Sequence, residues 1–209
     1  MDIFRYVLAL VILMSLAPAV LLWFLIHPFG AAWRRLGPWA SYSILMGFTA
    51  LSMAGVFVMR KPLLATDWGT NYLTLALGLI AMALGTLIAL KRKRHLTFSI
   101  LSGLPQISAK VYPGKLLTEG IYGRIRHPRY VEVVLWVLGY ALVANYPSLY
   151  AAALLTPPSL LLIVFLEERE LEERFGEDWR AYKARVPRFV PKIRNGPRRA
   201  PGSVRRRAE

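Results

Sequence analysis

The apolar stretch 131–166, VEVVLWVLGYALVANYPSLYAAALLTPPSLLLIVFL, decides how this chain folds. As one helix it would be about 54 Å long, which is too long to cross a hydrocarbon core of about 30 Å once. Asn145-Tyr146-Pro147 lies within the stretch and is typical of a turn. We therefore predict a helical hairpin with arms at about 131–144 and 148–168, and a kink in the second arm at Pro157-Pro158.

Three further apolar stretches precede the hairpin, and each is close to the ~20 residues that cross a bilayer. They are Tyr6–Ile26, Trp39–Met59 and Tyr72–Leu90. The first is too long and too evenly apolar for a signal peptide, and no small-residue cleavage site follows it. The predicted fold class is therefore an all-α polytopic membrane protein with about five transmembrane helices, of which the last two form the C-terminal hairpin.

The composition agrees with a membrane protein. Of the 209 residues, 56% are hydrophobic and 19% are charged, whereas soluble domains carry about 45–50% apolar and about 25% charged residues. Lys and Arg number 27 against 12 Asp and Glu, which gives a net charge of +15. In a membrane protein this excess indicates cytoplasmic loops and contact with anionic lipid head groups, and not nucleic acid as the partner.

Several kinds of site are excluded by missing residues. The absence of cysteine excludes disulfides, thiolate metal sites and a cysteine nucleophile. Three scattered histidines offer no ligand spacing, so we expect no metal site. Neither GxGxxG nor GxxxxGK[ST] occurs, so neither nucleotide-binding pattern of soluble proteins is present.

The basic residues also predict the orientation in the membrane. Residues 91–130 carry nine Lys and Arg side chains and one acidic side chain, and the segment after Leu166 is rich in Arg. Both flank the hairpin and should face the cytoplasm, which puts the N-terminus outside and the C-terminus inside the cell (inner) membrane. Arg60 and Lys61 fall on the opposite side and are exceptions to this assignment.

Composition divides the chain into three regions. Residues 1–95 form an N-terminal three-span membrane region. Residues 96–193 contain an interfacial loop, the hairpin and a cytoplasmic C-terminal helix. Residues 194–209, rich in Pro, Gly and Arg, are predicted to be a basic disordered tail. Within the loop, the apolar but interrupted segment Leu96–Ile107 is too short to span and is expected to lie along the interface.

Two polar clusters flank the hairpin, at about 115–130 and 167–187, and folding the hairpin brings them together at the cytoplasmic face. Cations and anions then meet beside apolar helices, as a pocket for a zwitterionic ligand requires. Simpler interpretations remain open: Arg126 and His127 as head-group anchors, and the acidic pair at 167–168 as a solvated helix end. The apolar stripe Leu171, Phe175, Trp179 and Tyr182 predicts a cytoplasmic helix packed on the membrane region.

At these clusters the sequence resembles the membrane-embedded S-adenosylmethionine-dependent methyltransferases, which include isoprenylcysteine carboxyl methyltransferases and phospholipid N-methyltransferases. The resemblance is carried by LLTxGxYxxxRHPxY at 116–130 and EExxLxxxFGxxWxxYxxxVP at 167–187. It covers about residues 105–191. It implies a cytoplasmic pocket for S-adenosylmethionine and a lipid or lipid-like small molecule that enters through the bilayer.

The resemblance also implies which residues hold the cofactor. Arg126 and His127 can donate to its carboxylate, Glu168 can face its ammonium, and aromatic rings such as Tyr122 suit its sulfonium. No catalytic residue is assigned, because alignment of the reactants and exclusion of water suffice for this displacement. By position, the expected cofactor contacts are Leu116, Leu117, Tyr122, Arg126, His127, Pro128, Tyr130, Glu167 and Glu168.

Two positions bear on the acceptor. Where the prenylcysteine enzymes have a histidine at the start of the first motif, this chain has Gly114, and their arginine one turn before the acidic pair is Ile163. The predicted function is methyl transfer to a small amphiphilic or lipid acceptor, with an isoprenylcysteine-type carboxylate as one case that these two positions disfavour. The alternative is a non-catalytic membrane binding or assembly protein on the same fold. A transporter is disfavoured because no span carries an ionisable residue near its middle.

Overall fold

Helices form all of the regular structure in the part of the chain that the computed structural model describes, residues 2–26, 28–93 and 116–192. This confirms the predicted all-α class. The predicted interfacial segment 96–107 and the tail 194–209 lie outside the described residues. The elements are α1 (Asp2–Ile26), α2 (Gly30–Leu36), α3 (Pro38–Val58), α4 (Arg60–Leu63), α5 (Tyr72–Lys93), a 3-10 helix (Gly120–Gly123), α6 (Pro128–Ala144) and α7 (Pro147–Arg185).

Among these elements, α1, α3, α5 and α7 are long and apolar enough to cross a membrane. The remaining arm of the hairpin, α6, has 17 residues, which is the shortest length that still spans a typical core. Together they agree with the prediction of about five spans. The three N-terminal spans match their predicted positions to within a few residues at each end.

The predicted hairpin is confirmed. Helix α6 ends at Ala144, Asn145 adopts the left-handed conformation with φ of 59°, and Pro147 opens α7. This is a usual way to end one helix and start another. Helix α7 continues through Pro157 and Pro158 and is 39 residues long, well beyond the predicted arm. Its apolar part ends at Leu166, so the charged remainder extends past the membrane-spanning part.

One residue divides α7 into a membrane arm and a shorter terminal helix. Gly176 has φ of 51° and ψ of −119°, and it is the one residue inside α7 with a non-helical backbone. Such a conformation is accessible to glycine because it lacks a Cβ. The helix after Gly176 turns the apolar stripe towards the first motif: Trp179, Tyr182 and Val186 form a cluster with Leu116, Leu171 and Phe175. The stripe is therefore packed, but against the first motif and not against a membrane span as predicted.

Contacts at the two ends of the bundle show which residues share a face. At one end Arg5 Nε of α1 donates to the carbonyl of Ala144 at 2.9 Å. At the other end, the guanidinium of Arg129 lies over the ring of Trp23, which is near the end of α1. The guanidinium carbon is 5.1 Å from the centroid of that ring. The N-terminus and the first turn of α6 therefore lie on opposite faces of the bundle. The predicted topology requires this arrangement, because it puts the N-terminus and the residues just before α6 on opposite sides of the membrane.

Candidate active site

The site is built where the first motif meets the chain segment that follows α7. The backbone N–H of Arg126 donates to the carbonyl of Pro187 at 2.9 Å, and that of His127 donates to the carbonyl of Arg188 at 3.0 Å. The hydroxyl of Tyr182 donates to the backbone carbonyl of Tyr122 at 2.7 Å. These bonds fix the loop ahead of α6 against the C-terminal segment, although the two are far apart in sequence.

Glu168 lies at the centre of the site. It is 4% exposed, and its carboxylate is 3.1 Å from His127 Nε2 and 3.1 Å from a terminal nitrogen of Arg126. Arg188 binds the same carboxylate with Nη2 at 2.9 Å and Nε at 3.1 Å. The interpretation of Glu168 as a solvated helix end is therefore wrong. The prediction that folding the hairpin brings the polar clusters at about 115–130 and 167–187 together is confirmed.

The charge state of Glu168 follows from these partners. Burial by itself would raise the pKa of this carboxyl group, but the hydrogen bonds from His127 and Arg188 and the nearby charge of Arg126 outweigh burial and lower the pKa to about 2. Glu168 is thus ionised at any physiological pH. It acts as the acceptor that joins α7, the first motif and the C-terminal segment.

The neighbouring acid is more accessible. Glu167 has a side chain that is 28% exposed, with Oε2 at 3.6 Å from His127 Nδ1. It accepts a hydrogen bond of 2.7 Å from the hydroxyl of Tyr130. The two glutamates therefore differ: one is enclosed by cations, and the other keeps part of its carboxylate open to a ligand.

Two side chains of this region carry buried donors with no hydrogen-bond partner among the described residues: Arg126 with Nε and Nη1, and Trp179 with Nε1. Outside this region, Arg92 Nη1 and the hydroxyl of Ser148 also lack such a partner. The guanidinium carbon of Arg126 lies 5.6 Å from the Trp179 ring centroid, so the unpaired donors belong to adjoining side chains. Buried donors are rarely left unpaired in folded proteins. Their presence together marks a place where a ligand with acceptor oxygens can bind.

Two cavities lie near His127, because Phe189 lines both and Tyr130 lines one, and their rings are 6.0 and 5.6 Å from that of His127. The first, called here the basic cavity, measures about 480 Å³ and is lined by Lys91 and Arg124 together with apolar side chains. The second, the apolar cavity, measures about 300 Å³ and lies between α6 and α7, with Tyr130, Val134 and Leu160 among its lining residues. A site that combines a buried charged cluster with an apolar cavity suits a polar cofactor and an apolar acceptor.

The structure brings most of the predicted site residues into one region. His127, Pro128, Tyr130 and Glu168 are buried, and Leu116, Leu117, Tyr122, Arg126 and Glu167 are partly buried. Burial raises the pKa of the Tyr122 hydroxyl to about 12, so it stays neutral. Of these nine residues Tyr130 lines the apolar cavity, whereas none lines the basic cavity.

Sequence reasoning missed Arg188 and the buried pair of Arg92 and Glu132. Arg188 directly follows Val186-Pro187, the end of the second motif. This position next to the motif is the one feature of the sequence that could have identified it as a site residue. Arg92, in the last turn of α5, holds Glu132 of α6 through bonds of 2.8 and 3.1 Å. Their separation by 40 residues leaves no local pattern that pairs them.

A helical hairpin that joins RHPxY to an acidic pair at one face of a membrane bundle defines the class of membrane-embedded methyltransferases. The family model for phospholipid methyltransferases matches residues 73–178. The chain belongs to this family, and membership supports methyl transfer over the non-catalytic alternative. The match begins in α5 and ends just before Trp179, so it includes the hairpin, Arg126, His127 and Glu168, whereas Trp179 and Arg188 lie beyond it.

Individual relatives are also methyltransferases. Methanethiol S-methyltransferase of Crocosphaera subtropica is 30% identical over 174 residues, which cover 79% of this chain and 67% of that enzyme. Methanethiol S-methyltransferase 1 of Bradyrhizobium diazoefficiens is 26% identical over 69% of this chain and 52% of that enzyme. Protein-S-isoprenylcysteine O-methyltransferase of Schizosaccharomyces pombe is 34% identical over 37% of this chain. The matched part thus spans about half of the second relative and 34% of the third. No solved structure matches the chain.

Proposed function

We propose that the protein transfers a methyl group from S-adenosylmethionine to a small apolar acceptor that reaches the site from the membrane. The observation that carries this proposal is the buried cluster around Glu168, in which Arg126 and Trp179 hold unpaired donors. An apolar cavity reaches the same cluster through Tyr130 and Phe189, whose rings lie 5.6 and 6.0 Å from that of His127. Leaving buried donors without acceptors costs free energy, and a ligand with acceptor oxygens would remove that cost.

The residues of the site fit the cofactor. Its carboxylate would accept from the free N–H groups of Arg126 and from Trp179 Nε1, as charge-assisted bonds require. Its ammonium would lie near Glu167, whose carboxylate is more exposed than that of Glu168. Aromatic rings of Tyr122 and Tyr130 suit its cationic sulfur. The other eight contacts implied by the sequence remain predictions, whereas Glu168, which is bound by Arg126, His127 and Arg188, would act through the groups that it positions.

When bound, S-adenosylmethionine supplies an electrophilic methyl group. The chain's own residues would then hold the reactants in line and keep water away, effects worth up to about 7–11 kcal/mol for ideal alignment. The buried bonds between Glu168, Arg126 and Arg188 fix the pocket wall before the reactants arrive. Such preorganisation avoids the cost of rearranging charges during the reaction.

A small thiol is the acceptor class that the observations favour. The relatives named methanethiol S-methyltransferase align over 79% and 69% of this chain. Ile163, at the position where the prenylcysteine enzymes carry an arginine, is fully buried among apolar side chains. An isoprenylcysteine carboxylate is the second candidate, favoured by 34% identity to the S. pombe enzyme over 79 residues.

The test is methyl transfer by detergent-purified protein from tritiated S-adenosylmethionine to methanethiol, to an S-farnesylated cysteine and to extracted membrane lipids. Label in dimethyl sulfide is the expected result. Label in the farnesylated cysteine would select the second candidate. Saturable cofactor binding without transfer to any acceptor would contradict the catalytic proposal.

A variant tests the cofactor contact separately from turnover. Trp179→Phe keeps an aromatic ring in the cluster but removes the buried N–H. Losing a bond to a charged group costs about 1.5–3 kcal/mol, so cofactor affinity should fall about 10- to 150-fold in a calorimetric titration. The matched control is Trp68→Phe, an exposed residue at the opposite end of the bundle. If both variants bound S-adenosylmethionine with equal affinity, Trp179 would not be a cofactor contact.

We also propose that the site faces the cytoplasm, because the basic last turn of α5 lies on the same face. A cysteine at Glu177 should resist an impermeant thiol reagent in intact cells and react after permeabilisation. A cysteine at Thr66, on the opposite face, should react in intact cells. The reverse pattern would invert the topology. The division into residues 1–95, 96–193 and 194–209 stays a prediction.

A further inference from the structure

The segment after α7 is anchored immediately before Phe189. The carbonyls of Pro187 and Arg188 accept hydrogen bonds from the backbone of Arg126 and His127, and the Arg188 side chain binds Glu168 through both Nε and Nη2. Main chain and side chain of the residue before Phe189 are thus both fixed. The position of the Phe189 ring is therefore set by the same cluster that organises the candidate active site.

The Phe189 ring lies at the junction of the two cavities. It packs against the apolar cluster of Tyr130, Leu160, Ile163 and Val164, and its centroid is 6.0 Å from that of His127. Phe189 and Val131 line both the basic cavity and the apolar cavity. Val131 belongs to α6, whereas Phe189 comes from the anchored segment, so the two residues approach the junction from different elements.

We propose that Phe189 is a specificity-determining residue that closes the apolar cavity and thereby limits the length of the acceptor. The inference rests on the proposed function, since it concerns the acceptor of that same site. The Phe189 ring lines the apolar cavity of about 300 Å³ on the side where the basic cavity begins. A longer chain has to extend into the space that the Phe189 ring occupies, and a well-packed apolar wall yields little without a change of side chain.

Replacing the ring should join the two cavities and lengthen the permitted acceptor. One methylene in an apolar pocket changes discrimination by about 10-fold or more. Phe189→Ala should therefore raise the ratio of kcat/KM for a long n-alkanethiol to that for a short one by at least about 10-fold. Phe189→Trp should lower the same ratio. The matched control is Val190→Ala, which changes the next residue, an exposed one that lines neither cavity.

The experiment uses n-alkanethiols from methanethiol to hexadecanethiol with the full-length protein in detergent. Two readouts are taken: methyl transfer, and the shift in unfolding temperature that each thiol causes without cofactor. In both, the longest effective thiol should be longer for Phe189→Ala than for wild type, and unchanged for Val190→Ala. If Phe189→Ala does not fold, Phe189→Leu and Phe189→Trp serve in its place.

The outcomes separate this inference from the proposed function. Thermal shifts with the expected length profile, but no transfer, would contradict the methyltransferase proposal and leave the role of Phe189 supported. Folded Phe189 variants that keep the wild-type length profile in both readouts would overturn the inference. A change of profile for Val190→Ala as large as that for Phe189→Ala would also overturn it, because the effect would then belong to the segment and not to the ring.

Discussion

On the side of α6 that faces α5, the backbones of the two helices lie close together. A Cβ added at Gly139 would lie 2.9 Å from the carbonyl oxygen of Gly78 and 2.5 Å from a side-chain carbon of Met82. On the side of α6 that faces α7, the helices leave a cavity of about 300 Å³ and meet through the charged cluster at Glu168. The first seam is closed by small residues, as is usual between membrane helices. The second seam is held at its end by the charged cluster and contains the apolar cavity, which provides space for a ligand.

The largest expected effect comes from breaking the charged end of the open seam. Glu168→Gln leaves the buried guanidinium of Arg126 without its counter-ion, and breaking a buried pair in this way costs about 3–5 kcal/mol. Thermal unfolding in detergent should show a marked loss of stability. The matched control is Glu172→Gln, which removes an exposed acid paired with Arg180 and Lys183 on the same helix and should leave unfolding unchanged. Similar unfolding temperatures for both variants would show that Glu168 does not hold the seam.

A smaller loss is expected from forcing the closed seam apart. Gly139→Ala adds a methyl group where none fits, and overpacking of this kind costs about 1–3 kcal/mol. Gly47→Ala in α3 is the matched control, because a Cβ there would meet nothing within 4 Å. That control should be neutral or slightly stabilising, since alanine favours helix more than glycine does. Both variants are compared by unfolding temperature in the same detergent. If the unfolding temperature of Gly139→Ala equalled that of the wild type, α5 and α6 could move apart without loss of stability.

The smallest effect near neutral pH is the titration of Glu168. The pKa of this group is lowered from its ordinary value of 4.5 to about 2, so its contribution to stability is complete above pH 4.5 and is lost as the pH falls towards 2. The groups that face it are Arg126, His127, Arg188 and the neighbouring Glu167. The difference in unfolding temperature between wild type and Glu168→Gln should stay constant from pH 8 to 5 and shrink below that. If the difference in unfolding temperature instead grew as the pH fell, Glu168 would not be stabilised in its ionised form.

The positions of the helices and the turn followed from the sequence because their causes are local. About 20 consecutive apolar residues suffice to predict a span, and Asn145 and Pro147 have backbone preferences that end one helix and open the next. The two motifs also identified the site region, and the hairpin between them made their meeting predictable. In these respects neighbouring residues carry the information, and distant parts of the chain do not change it.

The tertiary structure decided which charges are enclosed and which remain open. Glu167 and Glu168 are the same residue type at adjacent positions, but their surroundings differ. Glu168 is largely enclosed by Arg126, His127 and Arg188. Glu167 accepts a hydrogen bond from Tyr130 and stays partly exposed. The same holds for the pair of Arg92 and Glu132, and for Phe189 at the junction of two cavities. The rotation of each helix about its axis and the path of the chain after α7 set these contacts. Both depend on packing between distant segments, which no local pattern records.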